Sequence, residues 1–283
     1  MVKSIEELTF CDDAVFGKVM EDDELCREVL EVLLQRPVGL LSKVETEKSY
    51  RFISDGKPIR MDVYSQGDGC VYDAEMQNRN HRSNEGLQLP HRSRYYQTMI
   101  DFDFLDAGGQ YGELPEANVI FLCTFDPFGK NHYMYRFCNW CDDLQMELGD
   151  KTYKYFFNCS YKGEDIPEGL KTLYHYIQTG EIEGALTQKI QKRVHQVKMN
   201  AEWRSEYMKT RVCLMDARNE GRAEGRAEGR EEGREEERAN TEREKARADA
   251  ASKRADDAAK RADDAEAEVI RLKKQLELLG AKV

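Results

Sequence analysis

The stretch IRMDVYSQGDGCVYDAEMQ, residues 59–77, decides the fold because it encodes two strands around one tight turn. Residues 59–65 and 70–76 alternate apolar and polar side chains, which is typical of half-buried strands. Asp68-Gly69 between them is a strong signal for a two-residue hairpin loop. The sequence therefore predicts an antiparallel β-hairpin whose register is set by that loop.

In this register Asp62 faces Glu75 directly, and Tyr64 faces Asp73. Directly opposed residues have Cβ atoms about 4.5–5.5 Å apart, where two like charges are destabilising. A hard cation such as Mg²⁺, which prefers carboxylate oxygens, would make the pair favourable. Gln77 shares the face of Glu75 because strand side chains alternate. The hairpin is therefore a candidate metal site.

Two other interpretations of the hairpin stay open. In the first, its polar face simply meets water, as in an ordinary amphipathic hairpin. A three-residue turn over 67–69 would instead pair Asp62 with Ala74 and separate the two carboxylates. On the opposite face, we expect four apolar side chains to point into a core: Met61, Val63, Ala74 and Met76.

Outward from the hairpin, the chain shows helical and strand patterns in mixed order. Residues 119–125 form a continuous apolar run, typical of a strand buried on both faces. Further strands are predicted at 133–137 and 153–158, and helices at 22–35, 85–105, 170–178 and 187–209. The fold class predicted is α/β, with a mixed central sheet flanked by helices.

Length and charge limit the class of protein. The 283 residues suggest about two domains, and the net charge is -11. Residues 211–283 hold 18 basic and 19 acidic residues, so nearly all of the excess lies in the front part. Such acidity is unusual for non-specific nucleic-acid binding. No apolar run nears the ~18 residues that cross a bilayer, and no signal peptide begins the chain, so we expect a cytoplasmic protein.

Cysteine usage agrees with that compartment. The chain has eight cysteines, which we expect to be reduced thiols rather than a disulfide framework. Cys138 and Cys141 form a CxxC pair, but a zinc site normally needs a second ligand pair at matched spacing. We therefore expect ordinary buried cysteines there.

The composition changes near Thr210, beyond which aromatic residues and proline vanish. Residues 211–245 carry a four-residue Glu-Gly-Arg repeat whose glycines disfavour a helix, so we expect a weak helix or a solvated linker. Residues 246–283 carry an apolar seam with alternating spacings of three and four, which predicts a coiled coil and a homo-oligomer. A single solvated helix is the alternative. The seam residues are Ala248, Ala251, Ala255, Ala258, Ala262, Ala265, Val269, Leu272, Leu276 and Leu279.

The order Asp62, hairpin, Glu75-x-Gln77 resembles the PD-(D/E)XK nuclease superfamily. More closely, residues 5–210 resemble the bacterial recombination-promoting nuclease and transposase family. The blocks that carry this resemblance are 16–34 as an opening helix, Arg94-Tyr95-Tyr96, Leu114-Pro115 with 119–125, 155–158 and 202–208. The Gly-Arg-Glu repeat is also common in that family.

The resemblance implies a restriction-endonuclease-like core in 1–210, followed by a linker at 211–245 and a coiled-coil helix at 246–283. It implies a Mg²⁺- or Mn²⁺-dependent DNA endonuclease, a hydrolase acting in recombination or on transposable elements. Asp62 and Glu75 would bind the metal with the Met76 carbonyl, and Asp73 would assist. Glu31 on the first helix is a candidate extra acid, with Glu24 and Glu28 as rivals.

Gln77 stands where the superfamily usually has lysine. A glutamine can orient water by hydrogen bonding, but it cannot supply a positive charge. The second hypothesis is therefore a catalytically weak DNA-binding or regulatory relative that assembles through its coiled tail. In either case a DNA-contacting rim is predicted just after Gln77, with an ordinary solvated loop as the alternative. Its residues are Arg79, Arg82, Arg92 and Arg94, with His81 and His91.

Overall fold

The computed structural model describes residues 3–50, 59–78, 88–105, 108–278 and 280. The helices are α1 Asp13–Met20, α2 Asp23–Leu34, α3 Leu89–Phe104, α4 Glu168–Thr179, α5 Gly184–Met199 and α6 Ala201–Leu278, and a short 3-10 turn spans Tyr111–Glu113. The strands are β1 Lys43–Tyr50, β2 Ile59–Gly67, β3 Cys70–Gln77, β4 Glu116–Cys123, β5 Met134–Phe137, β6 Trp140–Cys141, β7 Met146–Glu147 and β8 Thr152–Asn158.

Six of these strands form one mixed sheet in the order β1-β2-β3-β4-β8-β5. The first three strands pair antiparallel, β3, β4 and β8 run parallel, and β5 returns antiparallel along β8. The parallel centre explains the unbroken apolar run of β4, since such strands are covered on both faces. The predicted α/β class with a mixed central sheet is confirmed.

The hairpin has the register predicted from its loop. Tyr64 pairs with Asp73, and Gly67 pairs with Cys70, so the three-residue alternative is wrong. Asp68 and Gly69 have φ values of 49° and 71°, the positive angles that a type I′ turn requires at both central positions. This turn twists with the strands and therefore fixes which side chains share a face.

Helices cover both faces of the sheet. On one face, α1, α2, α4 and α5 pack over β-strand residues such as Val63, Ala74 and Ile120. On the other face, α3 packs over a smaller cluster that includes Phe121 and Phe156. The alternating residues 71, 73, 75 and 77 of β3 lie on this second face, under α3.

Met61 differs from its predicted orientation. It is fully buried, as expected, but it belongs to the α3-side cluster, whereas Val63 belongs to the opposite one. The regular alternation of β2 is therefore interrupted at Asp62. The neighbouring strand β1 is irregular at the same level, since Glu47 has a φ of 54° and no partner in the ladder.

The single opening helix expected at 16–34 is wrong. The structure has two helices there, because Asp22 leaves helical geometry and caps α2 by accepting a hydrogen bond from the Leu25 backbone amide at 3.1 Å. Strand β1 was not predicted, since its sequence KVETEKSY is too polar to show a buried face. The predicted helix 187–209 is interrupted at Asn200, whose side chain caps the start of α6.

The chain divides into two compact units, Met1–Arg211 and Val212–Val283. Helix α6 runs through the whole Glu-Gly-Arg repeat, so this segment is helical rather than a flexible linker. Trp203 and Tyr207 of its first turns stack on each other, and the Tyr207 hydroxyl donates to the Lys3 carbonyl at 3.1 Å.

In the described part of the chain, no helix combines the length and apolar content that crossing a bilayer requires.

Candidate functional site

Three carboxylates gather at the open end of the β2–β3 hairpin. Asp73 and Glu75 follow one another on the α3 face of β3, with exposed fractions of 0% and 1%. Asp62 lies on β2 beside them. Burial of two acidic groups beside a partly buried third is costly, since charges are normally buried only when paired or metal-bound.

Hydrogen bonds from main-chain amides to side-chain carboxylates connect the two strands at Asp62 and Glu75. The regular ladder of β2 and β3 ends at Val63 and Ala74, one pair short of them. Beyond it, the Asp62 amide donates to Oε1 of Glu75 at 2.8 Å, and the Met76 amide donates to Oδ2 of Asp62 at 3.1 Å. Each carboxylate thus accepts a hydrogen bond from the opposite strand, which holds both acids at the strand ends.

Arg92 of α3 is the cation inside this cluster. Its Nη2 lies 3.0 Å from Oε2 of Glu75 and 2.8 Å from the Tyr96 hydroxyl, while Nη1 donates to Oε1 of Gln77 at 3.0 Å. The guanidinium carbon also lies 5.3 Å and 5.5 Å from the ring centroids of Tyr96 and Phe121. Arg92 therefore joins α3 to the C-terminal end of β3.

The aromatic floor beneath Arg92 is stacked. Phe121 and Phe156 have ring centroids 5.2 Å apart with an interplanar angle of 7°, and Tyr96 lies 6.2 Å from Phe121. Both phenylalanines sit at paired positions of the parallel strands β4 and β8. This apolar floor lowers the local dielectric and so strengthens each charge interaction above it.

Asp73 is the acid of this cluster whose carboxylate lacks hydrogen-bond donors. Both of its carboxylate oxygens are buried without a hydrogen-bond donor. Glu75 is its acidic neighbour, but the two Glu75 oxygens already accept hydrogen bonds from the Asp62 amide and from Arg92. A buried carboxylate with no donor costs about 1–3 kcal/mol or more, so Asp73 is a site of stored electrostatic strain.

The three acids titrate as a group at raised pKa values. Burial raises the pKa of Asp62 to about 6, helped by the negative charge of Asp13. Burial, and then the charge of its acidic neighbours, raises the pKa of Asp73 and of Glu75 well above the ordinary range. The positive charge of Arg92 lowers the pKa of all three acids. One arginine therefore offsets three acidic groups only in part.

These pKa shifts predict that the protein becomes less stable as the pH rises. A carboxyl whose pKa is higher in the folded state than in the unfolded state takes up a proton on folding, so its penalty grows between the two pKa values. For Asp62 this window runs from about pH 4 to about pH 6. We expect urea unfolding midpoints to fall across and above that window.

A matched variant isolates this effect from the rest of the chain. Asp73→Asn removes one strained charge and keeps the side-chain shape, so it should unfold at higher urea and show a shallower pH dependence. Asp142→Asn, on an exposed turn, should leave both quantities unchanged. Equal pH slopes for the wild type and Asp73→Asn would contradict the assignment of strain to Asp73.

The predicted acid of the first helix is not among the residues that the structure brings to the hairpin. Glu31 pairs with Arg27 at 2.8 Å and accepts from the Val38 amide at 3.2 Å. Its rival Glu28 pairs with Lys189. Asp13 of α1 is instead the helical acid whose charge acts on Asp62.

The sequence pattern does not single out Asp13, because α1 begins three residues before the helix start expected at residue 16. Helix α1 approaches β2 closely at Gly17, where an added Cβ would lie 3.6 Å from the Asp62 carbonyl oxygen. Tyr96 was likewise missed as a site residue. Its signal was the four-residue spacing from Arg92, which places both on one face of a helix.

The predicted DNA-contacting residues separate into three groups. Arg79, Arg82 and His81 lie outside the described residues. Arg92 points into the carboxylate cluster, as described above. Arg94 and His91 are exposed on α3.

The donor set of the cluster suits a hard divalent cation, because carboxylate oxygens are the ligands that such ions prefer. The two unsatisfied oxygens of Asp73 are the observation that fits an ion. In the present side-chain positions, no three acidic, histidine or cysteine side chains of the described residues converge as a preformed metal centre. Glu75 would have to turn from Arg92 to join such a centre.

The chain was compared with protein-family models, curated proteins and solved structures. None of the three comparisons gives a match.

Proposed function

We propose that this protein is a metal-dependent DNA endonuclease that hydrolyses phosphodiester bonds at the end of the β2–β3 hairpin. The observation that carries the proposal is the acid cluster of the partly buried Asp62 with the buried Asp73 and Glu75, in which the oxygens of Asp73 have no donor. A structural hairpin gains nothing from this arrangement, whereas a divalent cation would offset it. The α/β sheet would accordingly be a core of the restriction-endonuclease type.

Asp62 and Glu75 would hold Mg²⁺ or Mn²⁺, and the free oxygens of Asp73 would complete the acidic set. The ion would supply Lewis acidity toward the phosphate and acidify a bound water. The chain's own contribution is to fix the acids on rigid strand ends through the Asp62 and Met76 amides. The aromatic floor under Arg92 excludes water from one side.

Gln77 lacks the positive charge of the usual lysine, and Arg92 lies beside it. The hydrogen bond from Nη1 to the side-chain oxygen Oε1 of Gln77 places the guanidinium next to the position that a lysine would occupy. Arginine keeps its charge at every accessible pH and binds phosphate oxygens in a bidentate manner. Arg92 would therefore stabilise charge on a phosphate that approaches Glu75.

DNA is the proposed substrate, in a recombination or transposable-element setting and in the cytoplasm. The front part of the chain carries most of the negative charge, so its DNA affinity would be modest and would fall steeply with salt. The exposed Arg94 on α3 would contribute a phosphate contact. The eight free cysteines suit a reducing compartment.

The test is cleavage of supercoiled plasmid DNA by the purified full-length protein. We expect nicked and linear products with Mg²⁺ or Mn²⁺ and none with EDTA. In parallel, the melting temperature should rise with Mn²⁺, because an ion that binds only the folded state stabilises it. Intact plasmid with every divalent ion tested, together with an unshifted melting temperature, would refute a metal-dependent nuclease.

A second candidate is a DNA-binding or regulatory protein with little activity. The observation that favours it is that Arg92 engages both Glu75 and Gln77, which would compete with an ion for the same oxygens. This candidate predicts DNA binding without cleavage and a site that Mn²⁺ does not stabilise. The plasmid assay, repeated with a DNA-binding measurement, separates the two.

A further inference from the structure

The C-terminal part of α6 carries large apolar side chains that its own chain does not cover. Val269, Leu272 and Leu276 keep 50%, 49% and 42% of their surface exposed. They continue the seam that begins at Ala248, where spacings of three and four alternate. In a helix of the described length, such a seam forms one continuous stripe.

We propose that this stripe binds a second copy of the same chain as a parallel, in-register, two-stranded coiled coil over residues 248–276. This inference concerns the orientation and register of the pair and does not depend on the proposed nuclease activity. Two independent features of the helix carry it, namely the gradient of side-chain size along the seam and the charges that flank it.

Side-chain size changes along the seam in one direction. The six seam positions from Ala248 to Ala265 are alanine, and the four from Val269 onward are valine or leucine. In a parallel, in-register pair, each seam residue contacts the same residue of the second copy. Leucine therefore packs on leucine, and the backbones approach closely at the alanines. An antiparallel pair over the full seam would place each leucine opposite an alanine and lose most of the apolar burial.

The flanking charges match the same arrangement. Ala248, Ala255, Ala262 and Val269 each begin a three-residue spacing of the seam. In a parallel coiled coil, the residue just before such a position contacts the residue five places later in the partner helix. Arg261 then faces Glu266 of the second copy, and Glu268 faces Lys273 of the second copy. Both contacts join opposite charges.

The remaining flanking positions introduce no repulsion. Arg254 would face Ala259 of the second copy, and Arg247 would face Ser252. Glu268 makes only a 3.7 Å contact within its helix, to Arg271, and stays 58% exposed, so its carboxylate is accessible to a partner. Both ends of the seam therefore accept the in-register pair.

Disulfide trapping in the full-length protein tests orientation and register together. In a Cys213→Ser background, Ala251→Cys and Leu272→Cys each place a thiol in the seam, and Lys253→Cys places one on the outer face. A parallel, in-register pair should give disulfide-linked dimers at both seam positions, at least tenfold faster than at position 253.

Two positions separated by 21 residues cannot both face themselves in an antiparallel pair. Cross-linking at one of them alone would thus overturn the parallel arrangement. Cross-linking at neither, with a monomeric mass by light scattering, would overturn the pairing itself, and a trimeric mass would overturn the two-stranded state. A dimeric mass without cross-linking at either position would overturn the parallel, in-register arrangement.

Charge reversal gives a second readout. Glu268→Lys should weaken dimerisation about tenfold, because two attractive contacts become repulsive in the symmetric pair. The double variant Glu268→Lys with Lys273→Glu should restore wild-type dissociation by analytical ultracentrifugation. Equal weakening by the single and double variants would contradict the predicted contact.

Discussion

Asp62→Asn and Glu75→Gln are each expected to reduce plasmid cleavage by about a thousandfold, while the protein stays folded. A thousandfold corresponds to about 4 kcal/mol of lost transition-state stabilisation, which is within the contribution of one metal-ligating carboxylate. Both amides keep the shape and one acceptor oxygen, so the main-chain contacts between the strand ends persist. Removal of the Asp62 charge from the crowded cluster should leave the free energy of unfolding unchanged or higher, whereas Glu75→Gln also loses the ion pair with Arg92.

The control is Asp142→Asn, whose carboxylate is exposed on the turn after β6. It changes the net charge by the same amount, so equal activity to the wild type would show that charge alone is not responsible. Initial rates over a range of Mn²⁺ concentrations separate ligand loss from a lost chemical step. Wild-type rates in both Asp62→Asn and Glu75→Gln would exclude the hairpin as the active site.

The hairpin could be predicted from the sequence because its information is local. The Asp68-Gly69 turn determines the register, which pairs Val63 with Ala74 and so places Asp62 and Glu75 one step further along the two strands. The buried strand β4 could also be predicted from the sequence, since a strand covered on both faces shows an unbroken apolar run. These elements needed no knowledge of distant parts of the chain.

The electrostatics of the site depended on contacts between distant elements. Arg92 could be assigned to a basic rim from its neighbours in sequence, and only the packing of α3 over β3 turns it inward to Glu75. Asp13 reaches Asp62 because α1 is a separate helix that approaches β2 at Gly17. Likewise, the polar strand β1 exists only through its pairing with β2.

Arg92→Met is expected to destabilise the protein by about 2–3 kcal/mol near pH 7.5. Removal of one partner from a buried ion pair leaves an uncompensated charge, which costs about 3–5 kcal/mol when water is excluded. The lower figure applies here because a third of the Arg92 side chain is exposed and water can relax part of the cost. Methionine retains most of the apolar contact with Tyr96 and Phe121.

Arg94→Met is the matched control, since Arg94 is exposed two residues further along the same helix. Its effect on the free energy of unfolding should lie within about 0.5 kcal/mol, as for other surface substitutions. Urea denaturation followed by circular dichroism gives both values under the same conditions.

The pH dependence of the Arg92→Met effect identifies its cause. Without Arg92, the pKa values of Asp62, Asp73 and Glu75 should rise further, so acid should restore stability by protonating them. The gap between Arg92→Met and the wild type should therefore narrow toward pH 5. Addition of Glu75→Gln should recover much of the loss at pH 7.5, because the ion pair's other member is then neutral. A loss that is independent of pH, and additive with Glu75→Gln, would assign Arg92 to packing alone and remove the argument that this cluster is poised to take up a cation.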